Sequence, residues 1–565
     1  MLFCRKSSSV KNKSSFLGDE RDMWVRCWLD VWTPSNPRET LCTSMLQAFW
    51  VRCWPFLRMF IKNYEFAEST KLVAYLSRSK AEHICLMEVA LKKVRNLSFV
   101  SHLNIKIAKI MQIFNIKAQI LEFYLYLCGT KANNMIQEIK IKNFLSFRDE
   151  VKFSFEATND RFAEDSQVVT INENTRLLRF AIIYGYNASG KSNLLSVLDF
   201  LSFFWSVKPK DLDATTGIIP FKLDSVSNDA PSSFEVVFFV KDTKYWYQLE
   251  LDQHQVYLEK LSYYKTTQPI MLFERTLKDG QSDIQFNPKA EKISAAAKEM
   301  ISVNCLKNTS FFVARNQVNV SLPIIDAAKD WMRSRLMPVV FPTTGLTSYA
   351  QKKASENKDL INYIVKFLHE ADFNVTDIST NVISKQLTDE AIKYLTEDSD
   401  SSDVDSAREV ERIKKERTIK QIQTVFEHTV ENENGTEIYQ MDKKYESTGT
   451  MRTFGIETVL FEALMSEAVL PIDELETSLH PKLLEKILFD YLKTHSRSQL
   501  IVTTHNDGLL DLLDDLIRKD SVWFTEKKKS GVTELYKLTD FRGINRLSSI
   551  REAYRNKRFG ATMGS

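Results

Sequence analysis

The stretch AIIYGYNASGKSNLL, residues 181–195, decides the fold. An apolar run of strand character breaks into small and turn-forming residues, and a helical pattern starts at a lysine. The break fits G-x-x-x-x-G-K-[ST], with Gly185, Gly190, Lys191 and Ser192 in place. Glycines let the backbone curl so that successive N–H groups converge on phosphate oxygens. The helix that follows offers its N-terminus and partial positive charge to the same anion. Lys191 suits the β- and γ-phosphates, and the Ser192 hydroxyl suits Mg²⁺. Asn187, Ser189 and Asn193 complete the candidate nucleotide-binding set. A chance glycine-rich turn would satisfy the bare pattern. The strand AIIY before it and the helix KSNLLSVLDFLSFF after it favour the phosphate reading.

A phosphate cradle binds nucleotide but needs a metal carboxylate and a base to hydrolyse it. Residues 468–492, AVLPIDELETSLHPKLLEKILFDYL, read as a buried strand ending in Asp473 and Glu474. Asp473 suits coordination of Mg²⁺, and Glu474 suits the general base for an attacking water. Adjacent acids at a strand end also serve ordinary helix capping, and Pro481 opens a helix nearby. Pro471 is an oddity for a central strand. About thirty residues on, QLIVTTHND is again an apolar strand ending in polar residues, with His505 at its tip. An imidazole there can hydrogen-bond a γ-phosphate or position water. A lone histidine is more often structural; after the two preceding motifs the catalytic reading prevails.

The chain has 565 residues, enough for two or three domains, and its 44% apolar and 26% charged content is that of a globular protein. No run of apolar residues is long enough to cross a membrane. No secretory signal is apparent, so the expected compartment is the cytoplasm. Seven cysteines form no CxxC pair, which argues against zinc and against a disulfide framework.

Residues 1–134 differ in kind. They carry 20 Lys+Arg against 10 Asp+Glu, about +10, which leaves about −7 on the remainder. They also hold six of the seven cysteines, and WVRCW occurs twice, at Trp24–Trp28 and Trp50–Trp54. A partner- or nucleic-acid-binding domain, a helical accessory domain and mis-annotated upstream sequence with Met135 as the start all fit. The last is the preferred expectation, because the first clear strand follows Met135 at once. Charge on the remainder gives no support for nucleic acid as a partner, though a local basic groove stays open.

In order, the segments IKIKNFLSFRD, GYNASGKSNLL, YESTGTMRTF, PIDELETSLHP, TTHND and YRNKRFGA resemble the ABC-type ATPase heads of the SMC, RecF and OLD proteins. Stand-alone ATPases of the RloA and abortive-infection kind are the nearest likeness. The resemblance spans roughly Met135 to Gly564. It implies an α/β P-loop head with an antiparallel β subdomain and a helical insertion, ATP and Mg²⁺ as cofactors, and a nucleotide-dependent homodimer. In such heads a signature loop reaches the partner's γ-phosphate. Here that stretch is Ser447-Thr448-Gly449-Thr450, with Ser447 and Gly449 as contacts and Thr448 where a second glycine is usual. Ser478-Leu479-His480 would be the D-loop, with His480 either crossing the interface or capping the helix at Pro481. No glutamine is assignable to a Q-loop.

The expected organisation is an atypical extension (1–134), ATPase lobe I (135–289), a helical insertion (290–430) and lobe II (431–565). Within the insertion, the segments at 292–304, 322–336, 354–373 and 406–426 read helical, and TEDSDSSDVDS (396–406) reads as an acidic mobile loop. The insertion is too short for a coiled-coil arm and reads as a compact lid, a partner-docking surface or plain filler. Only 60 residues follow His505. They read as a closing hairpin without a metal-nuclease cluster, and Asp511, Asp514 and Asp515 read as an exposed helical face. The resemblance implies an ATP-driven switch in phage defence, acting through a separately encoded effector. A RecF-like DNA-repair ATPase, a transporter's ATP subunit and a non-hydrolysing nucleotide-binding scaffold remain the alternatives.

Overall fold

The computed structural model describes residues 133–371, 373–397 and 411–562, all within the unit formed by residues 122–565. The atypical extension, apart from its last two residues, and nearly all of the acidic loop lie outside the described residues.

Two large sheets organise the chain. The first is antiparallel, in the order β10-β9-β8-β7-β6-β1-β2. Its strands are β1 (Ile136–Lys142), β2 (Val151–Ser154), β6 (Ser232–Val240), β7 (Thr243–Leu251), β8 (Val256–Tyr264), β9 (Pro269–Lys278) and β10 (Gln281–Phe286). The second runs β14-β15-β5-β16-β17, from β5 (Phe180–Tyr184), β14 (Val469–Ile472), β15 (Gln499–Thr504), β16 (Val522–Lys527) and β17 (Thr533–Lys537). Neighbours from β14 through β16 are parallel, and β17 closes antiparallel. Smaller are the ribbon of β3 (Val168–Asn172) with β4 (Thr175–Leu178) and a three-stranded sheet of β11 (Val375–Gln386), β12 (Thr418–Asn432) and β13 (Gly435–Asp442).

The helices used below are α1 (Lys191–Ser206), α2 (Ala295–Asn304), α3 (Phe311–Arg315), α4 (Pro323–Ser334), α5 (Leu346–Glu356), α6 (Lys358–Glu370), α7 (Thr448–Ser466) and α8 (Pro481–Lys493). Every residue of β5, β14 and β15 is buried, as expected of parallel strands covered on both faces. Their side chains alternate between two cores. Ala181, Ile183, Val469 and Ile501 join α1 and the antiparallel sheet. Phe180, Ile182, Tyr184, Leu470, Ile472, Leu500 and Val502 join residues of α5 to α8. The parallel sheet is thus the wall between two hydrophobic clusters, and its position is fixed from both sides.

Pro471 finds its explanation here. β14 is an edge of the five-stranded sheet, and its open side meets residues 335–340. Val469 and Asp473 donate N–H groups to Arg335 and Val340 carbonyls at 2.7 and 2.8 Å. That irregular segment requires no donor from position 471, so a proline is tolerated.

The insertion differs from the helical reading. α2 to α6 form, but residues 418–426, expected as helix, belong to β12, and β11 is a second strand within the insertion. Period-two burial wins: Thr424 and Phe426 face inward, and Gln351 of α5 donates to the Thr424 hydroxyl at 2.8 Å. Nor is the segment one lid. Phe311, Phe312 and Trp331 of α3 and α4 pack into the first core, while Ala350, Leu360 and Ile364 of α5 and α6 pack into the second. The expected helix at Asp511, Asp514 and Asp515 is instead a 3-10 turn over Asp507–Leu512 followed by a bend with Asp514 at φ +66°. The closing hairpin forms as β16–β17. Among the described residues no helix is long and apolar enough to cross a membrane.

Glu457 sits inside α7, 1% exposed. Burial pushes its carboxyl up to about 8, from 4.5. Between those values the folded state holds a proton that the unfolded chain releases, so stability falls as pH rises, by roughly 1.4 kcal/mol per pH unit. Glu457→Gln removes this titration. Its melting temperature should exceed that of the wild type near pH 8, and the gap should close as pH falls toward 4.5. A gap independent of pH would contradict a neutral buried carboxyl.

Candidate functional site

The parallel register aligns three strand ends. Thr504 of β15 pairs with Tyr184 of β5, and Ile472 of β14 pairs with Val502 of β15. The residues that follow, the 185–190 loop, Asp473-Glu474 and His505, therefore emerge together at the carboxyl edge, where open parallel sheets place ligand sites.

The loop's shape is forced. Gly190 has φ +109°, and a Cβ there would lie 2.5 Å from the Thr533 hydroxyl. At Gly185 a Cβ would collide with the hydroxyls of Ser189 and Thr525 and would lie 2.7 Å from the Thr525 carbonyl oxygen. Behind the loop, Ser189 Oγ meets Thr525 Oγ1 at 2.7 Å, and Thr533 donates to the Ser189 carbonyl at 2.8 Å. Asn193 donates to Ser146 Oγ at 2.7 Å. Tyr186 donates its hydroxyl to the Lys527 carbonyl at 2.8 Å. Ser189 and Asn193 thus spend these groups on holding the loop. Asn187 is exposed, and Ser192 is half-buried at the start of α1.

Lys191 is buried, and its Nζ donates to the Gly185 carbonyl at 2.9 Å and approaches His505 Nε2 at 3.0 Å. An ammonium can only donate, so the ring nitrogen it meets is an acceptor and the ring is neutral; Nδ1 lies 3.5 Å from Nζ as well. Burial lowers the Lys191 pKa, against the pull of Asp473, Glu474 and Glu476. Burial also lowers that of His505, and the Lys191 charge adds to the effect. Glu474 Oε1 lies 3.8 Å from His505 Nε2. Lys191, Asp473, Glu474 and His505 therefore share one edge of the sheet.

Thr503, Thr525, Thr533 and Ser146 were not among the sequence candidates. The first two carried a signal: each is a hydroxyl within an otherwise apolar strand, LIVTT and VWFT. Thr503 Oγ1 lies 2.5 Å from Asp473 Oδ1 and accepts the Glu474 N–H at 2.8 Å.

The signature-like loop stands at a helix N-terminus. Ser447 caps α7 by accepting the Thr450 N–H at 3.0 Å, and Gly449 lies against the Ser478 carbonyl. Among the described residues, no polar contact of Ser447 or Gly449 reaches the 185–190 loop. His480 caps α8, accepting the Lys482 N–H at 3.3 Å, so the capping alternative is the one observed within the chain.

A magnesium nucleotide fits these residues. The back of the 185–190 loop is packed so closely that neither Gly185 nor Gly190 has room for a methyl group, and among the described residues the Lys191 Nζ bonds backbone carbonyls and His505 with no carboxylate hydrogen bond. Among the described residues there is no cluster of three or more His, Cys, Asp or Glu suited to a metal. Mg²⁺ takes few protein ligands and completes its shell with phosphate and water, and Ser192 and Asp473 are the oxygen ligands at this edge. Gly185→Ala should destabilise the fold by about 1–3 kcal/mol through overpacking and abolish binding of a fluorescent ATP analogue. Wild-type melting and affinity would contradict the cradle.

Residues 180–292 and 349–511 match the family model described as "AAA domain, putative AbiEii toxin, Type IV TA system". The two segments carry the phosphate loop, the signature-like loop, the acid pair and His505. No curated protein matches the chain in sequence. Solved structures similar to it include the SMC head domain from Thermotoga maritima, at 12% identity and TM-score 0.32, covering 71% of this chain and 98% of that one. An SmcHead bound to the C-winged helix domain of ScpA matches at 13% and 0.34, covering 74% and 99%. An Smc head with an extended coiled coil bound to the C-terminal domain of ScpA, derived from Pyrococcus furiosus, matches at 11% and 0.30, covering 75% and 98%. With the motifs and strand order above, the family match identifies an AAA-type P-loop ATPase domain in residues 180–292 and 349–511.

Proposed function

We propose that this chain is a cytoplasmic, ATP-hydrolysing switch that closes as a head-to-head homodimer and serves as the ATPase component of a bacterial phage-defence system. The observation that carries the reading is the convergence of Lys191, Asp473, Glu474 and His505 at one sheet edge. Lys191 would leave the Gly185 carbonyl for the β- and γ-phosphates, and the N-terminus of α1 would face the same charge. Ser192 and Asp473 would hold Mg²⁺, which when bound neutralises charge on the phosphates. Glu474 would take the proton of the attacking water. His505, released from Lys191, would orient that water or a γ-phosphate oxygen.

Ser447 and Gly449 would supply a hydroxyl and backbone N–H groups to the nucleotide of a second copy. Closure would then be driven by the higher affinity of the closed pair for ATP. The toxin–antitoxin description of the matched family supports a defence role. Asp511 pairs with Arg551 and Asp514 with Lys519, each at 2.6 Å; any cleaving activity would belong to a separately encoded effector. The net charge of about −7 after residue 134 weighs against nucleic acid as an obligatory partner.

Two variants test this reading. Lys191→Ala should abolish nucleotide binding; unchanged ATP affinity would refute its role. Glu474→Gln should keep binding, slow phosphate release by roughly 10²-fold or more, and accumulate as an ATP-dependent dimer in light scattering. Near-wild-type turnover would remove Glu474 from the chemistry. A variant that stays monomeric with ATP would refute the closing pair.

A further inference from the structure

We propose that Thr503 is a positioning residue for hydrolysis, whose hydroxyl fixes Asp473 and Glu474 together; this rests on the ATPase reading above. Thr503 lies on β15, directly beside the end of β14, and is fully buried. Its hydroxyl meets two groups of the neighbouring strand end, and their chemistry settles the direction of both bonds. The Glu474 N–H can only donate, so Thr503 Oγ1 accepts it at 2.8 Å. The single hydroxyl proton then goes to Asp473 Oδ1 at 2.5 Å. Asp473 Oδ1 is thereby held as an acceptor with its orientation set, and Oδ2 is the oxygen left for a cation.

Backbone bonds extend the same staple. The Thr503 carbonyl accepts the Leu475 N–H at 3.2 Å. The His505 N–H donates to Glu476 Oε1 at 2.5 Å. Residues 473–476 are therefore tied to 503–505 at successive positions, and Glu474 and His505 are held as one unit. The staple has something to hold. Glu474 has φ +47°, a left-handed conformation that non-glycine residues adopt only when their surroundings impose it. A side-chain bond to its own N–H is such an imposition. A valine at 503 would have the same shape and bury equally well, so packing alone does not require the hydroxyl.

The test is steady-state phosphate release and binding of a fluorescent ATP analogue without Mg²⁺, on Thr503→Val and Thr503→Ser. Thr503→Val should lower kcat by about tenfold or more, the size of effect seen when a group orienting a metal ligand is lost. Its affinity for the analogue should stay within about twofold of wild type, because no group of the cradle has changed. Thr503→Ser, which keeps the hydroxyl, should recover most of kcat. A wild-type kcat in Thr503→Val, or a serine variant as slow as the valine one, would overturn the proposal. Should Thr503→Val fail to fold, Thr503→Ser and Thr503→Ala decide instead: equal kcat in the two contradicts a role for the hydroxyl. A wild-type protein that releases no phosphate would bring down the ATPase reading and this inference together. Turnover in the wild type with no effect of the substitutions would remove Thr503 alone.

Discussion

Parallel pairing of β14, β15 and β5 in one register is the constraint on which the site depends. Parallel strands need long connections between them. The sequence supplies these as 284 residues between the ends of β5 and β14 and a helix between β14 and β15. Register then does what sequence proximity cannot. It places a lysine at 191, acids at 473 and 474 and an imidazole at 505 on one edge. Slippage of β15 by one residue would turn Thr503 away from Asp473 and drive its hydroxyl toward the wrong core. The alternation of Leu500, Ile501 and Val502 between two hydrophobic clusters is what forbids that slip.

The site has two tiers. Lys191, Asp473, Glu474 and His505 face the cradle. Behind them a set of hydroxyls from Ser146, Ser189, Thr503, Thr525 and Thr533 fixes the loop and the acid pair. All but Ser146, which lies in the turn between β1 and β2, sit on or beside a strand of the central wall, where burial makes an unpaired hydroxyl costly and a paired one rigid. The Thr503 hydroxyl, bonded to the Glu474 N–H, is part of what holds Glu474 in its left-handed conformation. Lys191 Nζ donates to the Gly185 carbonyl and meets His505.

Much of the front tier was legible in the sequence because its signals are local. GYNASGKS carries its turn chemistry within eight residues, and PIDE and TTHN each show an apolar strand ending in polar groups. The rear tier was hidden because it is non-local: Thr533 meets Ser146 across 387 positions. The helical misreading of 418–426 also has a physical origin. The run ERIKKE does continue helically to Glu416, and Arg417 then takes a left-handed φ of +54°. No glycine or proline marks that break, so the helical pattern reads on through it. Pro471 misled in the opposite way: it looked wrong for a buried strand, and the irregular segment at 335–340 is what accommodates it.

The most direct test of the central claim is a crystal structure with Mg²⁺ and a non-hydrolysable ATP analogue. The account predicts the γ-phosphate beside Lys191 and His505, the metal between Ser192 and Asp473, and Glu474 facing the γ-phosphorus. An analogue bound elsewhere, or a metal held without Asp473, would contradict it.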